Sequence, residues 1–136
     1  MISPGCREGR PLLSIEQARD FLLDTKLALA QEGALAFEGR SKNLQCLAEL
    51  GILATDVVDL LRCLRTDDYC EGPLDDDKGR PIRWWVFGPS VLECCIYVKI
   101  ALHGKKVICR SFHKPQWPMT YPLRRNGVSV HEDVLH

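Results

Sequence analysis

No stretch of this sequence of 136 residues approaches the roughly 20 uncharged apolar residues that a membrane-crossing helix needs. A membrane-spanning helix is therefore excluded. The opening run, MISPGCREGRP, lacks the apolar centre of a secretory signal, so the chain is expected in the cytoplasm and away from membranes. Metal-binding spacing is missing as well. The seven cysteines (Cys6, Cys46, Cys63, Cys70, Cys94, Cys95 and Cys109) are odd in number, contain no Cys-x-x-Cys pair and form no Cys/His cluster with zinc spacing. They read as mostly buried small hydrophobes, and no cofactor is expected. Repeats and low-complexity tracts are absent too. A chain of this length, 46% hydrophobic and 26% charged, fits one domain.

Net charge is also lacking, but its zero hides a division. Through Asp77 there are 8 Lys and Arg against 15 Asp and Glu, a balance of −7; from Lys78 onward there are 10 against 3, a balance of +7. A basic half suits a polyanion, because Lys and Arg neutralise phosphates and release counterions. The same division equally suits two halves that attract each other in the fold.

Residues 1–13, with Pro4, Gly5, Gly9 and Pro11, have no period and read as a loose arm. Ser14 and Gln17 have capping-box spacing, and Ile15, Ala18, Leu22 and Leu29 share one helical face before Gly33, which predicts a helix over 15–32. A second helix is expected from Ser41 to Leu50, with Leu44, Leu47 and Leu50 inward before Gly51. For a third, Thr55 can cap, Asp56 suits the positive helix end, and Val57, Leu60, Leu61 and Leu64 supply the buried stripe. The acidic, Gly- and Pro-bearing segment from Thr66 to Pro81 reads as a loop. After it the period becomes two: Trp84–Phe87, then Ile96–Leu102, a turn at His103-Gly104-Lys105, and Val107–Phe112. The expected fold is α+β, with N-terminal helices packed on a three-stranded or slightly larger antiparallel twisted sheet. The domain spans 14–114. The proline-rich tail 115–136, with Trp117, Tyr121 and Arg124-Arg125, should lie extended on or near it.

Four segments carry a resemblance: Leu64-Arg65-Thr66-Asp67-Asp68-Tyr69, Trp84-Trp85-Val86-Phe87-Gly88-Pro89, Ile96-Tyr97-Val98-Lys99-Ile100 and Ser111-Phe112-His113. In order and spacing they are similar to the motility quorum-sensing regulator (MqsR) family of bacterial type II toxin-antitoxin systems, over roughly residues 15–114. Ala48-Glu49-Leu50-Gly51-Ile52 also resembles the end of that family's second helix. The resemblance implies a RelE-like fold, metal-independent cleavage of messenger RNA, and a cognate antitoxin with zinc-binding and helix-turn-helix parts, joined to the toxin in a hetero-oligomer.

Cutting RNA with its own 2′-hydroxyl as nucleophile needs a base near that group, an acid at the 5′-oxygen and cations around the phosphate. His113, at a strand end, is the leading acid or base, because imidazole titrates near neutral pH; the best-known family member has a lysine there. Tyr97 and Lys99 alternate with Ile96, Val98 and Ile100 and so share an outward face. Tyr97 matches a family active-site tyrosine and could hold a phosphate oxygen or stack on a base, and Lys99 could stabilise the phosphorane or merely be a solvated strand lysine. Glu71 stands where better-known members have a lysine. It is either the base to the acid of His113 or part of the acidic loop. Trp84 lies near a functional glutamine of the family and could stack on an unpaired base, unless it is the tryptophan that packs in the core. Arg83, Arg110, Lys114 and Arg80 are candidate RNA-binding cations. Strict alternation turns Arg110 inward with Ile108 and Phe112, and only a twist or bulge would free it. A different class also fits this sequence: a non-catalytic module that holds RNA or protein on the same basic sheet face.

Overall fold

Helix α1 (Ser3–Leu29) forms because Ala18, Phe21, Leu22, Thr25 and Leu29 recur at three- and four-residue spacing, and it buries that stripe. The computed structural model of the chain describes residues 3–124, with side chains from residue 15 onward; Arg125 lies outside the described residues. The order continues with β1 (Leu35–Phe37), α2 (Ser41–Leu50), α3 (Asp56–Arg62), a 3₁₀ turn (Thr66–Asp68), β2 (Tyr69–Asp75), β3 (Arg83–Phe87), a small hairpin of β4 (Ser90–Val91) and β5 (Cys94–Cys95), β6 (Tyr97–His103) and β7 (Lys106–His113). Five strands form one sheet in the order β1-β7-β6-β3-β2, and only β1 runs parallel to its neighbour. The fold is α+β.

One sheet face carries the main core. Trp85, Phe87, Val98, Ile100, Val107, Cys109 and Phe112 meet the helices there, and Phe21 stacks on Trp85 at 4.7 Å. The opposite, outer face has a smaller apolar cluster of Ile82, Trp84 and Ala101, flanked by Leu74 and Ile108.

Several expectations need correction. Helix α1 runs back to Ser3, so the segment read as a loose arm is helical. Pro4 falls in the first turn, where its missing N–H costs nothing, and Pro11 forfeits one backbone bond without ending the helix. The presumed loop at 66–81 contains β2. Its Pro73 and acidic residues are compatible with a strand because β2 is a sheet edge, where an unpaired N–H is not needed and charges deter aggregation. Strand β1 has three residues, too few to show a period. Thr55 makes no side-chain cap; the Leu53 N–H instead donates to Asp56 Oδ2 at 2.8 Å. Of the described cysteines only Cys46 and Cys109 are buried, whereas Cys63 and Cys95, at a helix end and in a surface hairpin, are exposed.

The inward face of α2 also differs from the expected one: Asn43, Cys46 and Leu47 are buried and Leu44 is exposed. Asn43 has no accessible surface, and its amide is fully used. Its Nδ2 donates to Glu38 O (2.9 Å) and Arg110 O (3.0 Å), and its Oδ1 accepts from Phe112 N–H (2.9 Å). Strand β1 pairs with β7 only through Cys109, and Asn43 serves the β7 backbone beyond that point. Asn43→Ala leaves these buried backbone groups unpaired and should cost about 3 kcal/mol in urea unfolding, because each orphaned group costs on the order of 1–3 kcal/mol. Leu44→Ala, on the exposed face of the same helix, should stay within about 0.5 kcal/mol of wild type.

Candidate active site on the outer sheet face

Of three register shifts in the sheet, two decide which candidate side chains reach the outer face. Between β6 and β7, Ile100 pairs with Cys109 but Lys99 pairs with Ser111, so Arg110 is the extra residue of a bulge. Ile108 and Arg110 therefore point outward, Cys109 and Phe112 inward, and Ser111 and His113 outward again. This corrects the inward Arg110 expected from strict alternation. Between β2 and β3, Tyr69 pairs with Phe87 but Glu71 pairs with Val86, so Cys70 is the extra residue. Tyr69 enters the core and Glu71 emerges on the outer face. It belongs to a strand rather than to an acidic loop.

Across this face Glu71, Val86, Lys99 and Ser111 form one row on four adjacent strands. Strands lie about 4.8 Å apart, which puts Glu71 and Lys99 roughly 10 Å from each other with Val86 between them. Neither is in an ion pair among the described residues. The next row holds Tyr97 opposite His113, whose rings stack at 5.4 Å with 16° between their planes. His113 Nδ1–H donates to Lys114 O at 2.9 Å, since a carbonyl can only accept. Neutral His113 thus keeps its proton on Nδ1 and presents Nε2 as the proton acceptor; protonated, it donates from Nε2.

Burial pushes the Tyr97 hydroxyl above the ordinary phenol value, the negative charge of Glu71 adds to this, and Arg110 opposes it. Tyr97 is therefore a hydrogen-bond donor at neutral pH, not a phenolate. Burial also pushes the Cys70 thiol up to about 12. Cys70, the extra residue of the β2 bulge, therefore stays protonated and is no nucleophile at neutral pH.

The expected RNA-binding set is dispersed. Trp84 is 1% exposed, and its indole N–H donates to Asp76 Oδ1 at 3.0 Å, so it cannot stack on a base. Both tryptophans of β3 are buried, one on each side of the sheet. Arg80 grips Asp76 through Nε and Nη2, each at 2.9 Å, and Arg110 lies 5.4 Å over the Trp84 ring, with Asp76 at 3.9 Å and Asp77 at 3.6 Å. Arg83 pairs with Asp75 at 3.3 Å on the exposed edge, and Lys114 turns toward Glu49 of α2 at 3.6 Å. The structure sets Tyr97 and His113 side by side with Lys99 in the adjoining row, while Glu71 shares the outward face two strands from Lys99 and Arg110 lies at the margin.

Two contributors were missed from sequence. Asn43 holds the β7 bulge, and a polar residue at helical spacing from Cys46 and Leu47 was its only signal. Asp76 organises Arg80, Trp84 and Arg110; the following Asp77-Lys78-Gly79 run, typical of turns, was the available hint. Tyr121 of the tail donates to Gly88 O at 2.8 Å, directly past β3, with Cys95 Sγ at 3.3 Å, and Arg124 lies 3.7 Å over its ring while donating to Asp67 O at 2.9 Å. A Cβ at Gly88 would stand 2.7 Å from the Tyr121 oxygen, so this strap needs glycine beneath it. Trp117, in contrast, is 67% exposed.

No protein-family model and no curated protein matches this chain.

Asp76 gives this margin of the face an acid-sensitive anchor. The Arg80 guanidinium, then the Trp84 indole, hold its carboxyl far below the ordinary value of 3.8. A carboxyl depressed in the folded state contributes stability that is present above its unfolded value and lost as pH falls through and below it. Wild type should therefore lose stability steeply from about pH 4 downward. Asp76→Asn should be less stable at neutral pH and show a shallower acid limb in urea unfolding at stepped pH; parallel limbs would remove Asp76 from this role.

Proposed function

We propose that the chain is a messenger-RNA endoribonuclease, MqsR-type in its chemistry and RelE-like in its fold, acting in the cytoplasm and restrained by a cognate antitoxin with zinc-binding and helix-turn-helix parts. The observation that carries this proposal is one outward face that holds His113 stacked on Tyr97, Lys99 in the adjoining row and Glu71 two strands further across. Together they supply the groups that cleavage by the RNA's own 2′-hydroxyl requires.

In the proposed reaction a base takes the 2′-hydroxyl proton as that oxygen attacks phosphorus. The bond to the 5′-oxygen breaks, an acid returns a proton to that oxygen, and the products are a 2′,3′-cyclic phosphate and a 5′-hydroxyl end. Glu71 is the base and His113 the acid. The Tyr97 hydroxyl donates to a non-bridging oxygen, and Lys99, unpaired among the described residues, offsets the charge that grows on the phosphorane. Trp84 takes no part in base stacking.

A second reading, a non-catalytic module holding RNA or protein, draws on a specific observation: Arg80, Arg83, Arg110 and Lys114 are all engaged by carboxylates. Incubating pure protein with a long RNA in EDTA separates the two. Cleavage should proceed with wild type and fall by about 10²–10⁴-fold in His113→Ala, the usual worth of a general acid or base. Tyr97→Ala should fall less, and Glu71→Gln should fall by an amount comparable to His113→Ala. No cleavage by wild type, or equal cleavage by all variants, would leave the binding module as the better account.

A further inference from the structure

Away from the outer face, a cleft of about 510 Å³ opens between the C-terminal end of α1, strand β1 and the start of α3. Leu29, Leu35, Phe37 and Val58 contribute apolar walls, and the charged residues lining it are Glu32 and Asp59, both exposed. Lys106, the cation placed nearest by a contact, is held on Gly33 O at 2.7 Å. The volume falls within the range of about 300–1,000 Å³ that accepts ligands.

The wall formed by β1 is also an open sheet edge. Val107 N–H donates to Ala34 O and Glu38 N–H donates to Cys109 O, so the even-numbered residues of this segment face β7. In a parallel ladder alternate residues turn their backbone groups to opposite sides. The N–H and C=O of Leu35 and Phe37 therefore point away from β7, and β1 is the last strand on that side of the sheet.

We propose that this edge docks an extended segment of a partner protein as an added strand. Alternate apolar side chains of the segment enter the cleft, and Lys or Arg at its flanks meet Glu32 and Asp59. Three features agree on this occupant: unpaired strand groups, an apolar slot beside them, and a rim of one charge sign. Strand addition uses the first two as affinity and specificity respectively. A second copy of this chain fits less well, because pairing two β1 edges about a two-fold axis sets acidic rim against acidic rim. With three residues in β1, the docked strand spans about 10 Å, or three to four residues. The proposal is independent of the ribonuclease assignment, since none of its residues lies on the outer face.

The test is selection from a random heptapeptide display library on the full chain, followed by titration of synthetic hits into ¹⁵N-labelled protein. Hits should alternate apolar residues and carry Lys or Arg at their ends. They should shift the amides of Leu35 and Phe37 far more than those of Tyr97 and His113. Binding should weaken about tenfold or more in the surface variant Glu32→Lys/Asp59→Lys. Methylating backbone nitrogens of the peptide at one alternate set of positions should abolish binding, and at the other set should not. The proposal is overturned if no peptide is enriched, if hits leave Leu35 and Phe37 unmoved, or if they bind the double variant as well as wild type. A concentration-dependent dimer that moves the same amides without peptide would also overturn it, in favour of a second copy.

Discussion

The Asn43 side chain is the contact on which the arrangement of the outer face depends. A strand that slips by one residue turns every following side chain to the other side of the sheet. In β7 that slip occurs at Arg110, and it is what allows Cys109 and Phe112 both to enter the core while Arg110, Ser111 and His113 emerge outside. A bulge disrupts the ladder locally, and β1 has already ended where its groups would be needed. Asn43 accepts from Phe112 N–H and donates to Arg110 O, satisfying β7 on either side of Ser111. A buried amide on α2 thereby fixes the phase of the strand that carries His113, although Asn43 itself faces the core.

The parts of the fold that were legible in the sequence are those in which burial on one side imposes a regular period. Val57, Leu61 and Leu64 mark the inner stripe around α3, and Val98 and Ile100 mark the inner face of β6 opposite Tyr97 and Lys99. The pairing of Tyr97 and Lys99 with His113 on one face followed from the same rule. The rule fails where the period breaks. Arg110 is itself an extra residue and Glu71 sits beside one, and neither bulge leaves a mark in composition. Long-range polar contacts are silent for another reason: nothing near Asn43 in sequence announces its partners, Arg110 lying 67 positions away. Trp84 shows a third limit. Alternation correctly separated the two tryptophans, but the outer face has an apolar cluster of its own, and alternation alone cannot reveal that a second face is covered.

The division of charge along the chain has a structural outcome. Six of the seven ion pairs among the described residues join a carboxylate at or before Asp77 to a cation after it. The acidic segment around Asp75, Asp76 and Asp77 neutralises Arg83, Arg80 and Arg110, so a balance of +7 in the second half does not become a bare basic surface. The Arg83–Asp75 and Lys114–Glu49 pairs are exposed on both sides and individually weak. The most enclosed carboxylate is that of Asp76, which receives the Trp84 indole as well as the Arg80 guanidinium. On the outer face this leaves Lys99 as the cation without a competing carboxylate among the described residues, and it stands in the row next to His113 and Tyr97. Under the proposed function a phosphate drawn there would meet one uncommitted positive charge rather than a broad field, so selectivity for the site would depend on geometry more than on net charge.

The outer face and the open β1 edge are distinct surfaces, yet a single strand lies between them. Strand β7 is held by β1 at residues 107–109 and by Asn43 at Arg110 and Phe112, and it ends in His113. A strand added to β1 would stiffen the element that positions residues 107–109, and any movement of β7 must carry the bulge and the imidazole with it. The Lys114 carbonyl that fixes the His113 tautomer is one residue further on, and the Lys114 ammonium is tethered to Glu49 of α2, the helix that also provides Asn43. Helix α2 thus grips β7 both at its bulge and just past its end. Coupling between the two surfaces would need no long relay, because β1, the edge that a docked strand would extend, pairs directly with β7, the strand that carries His113.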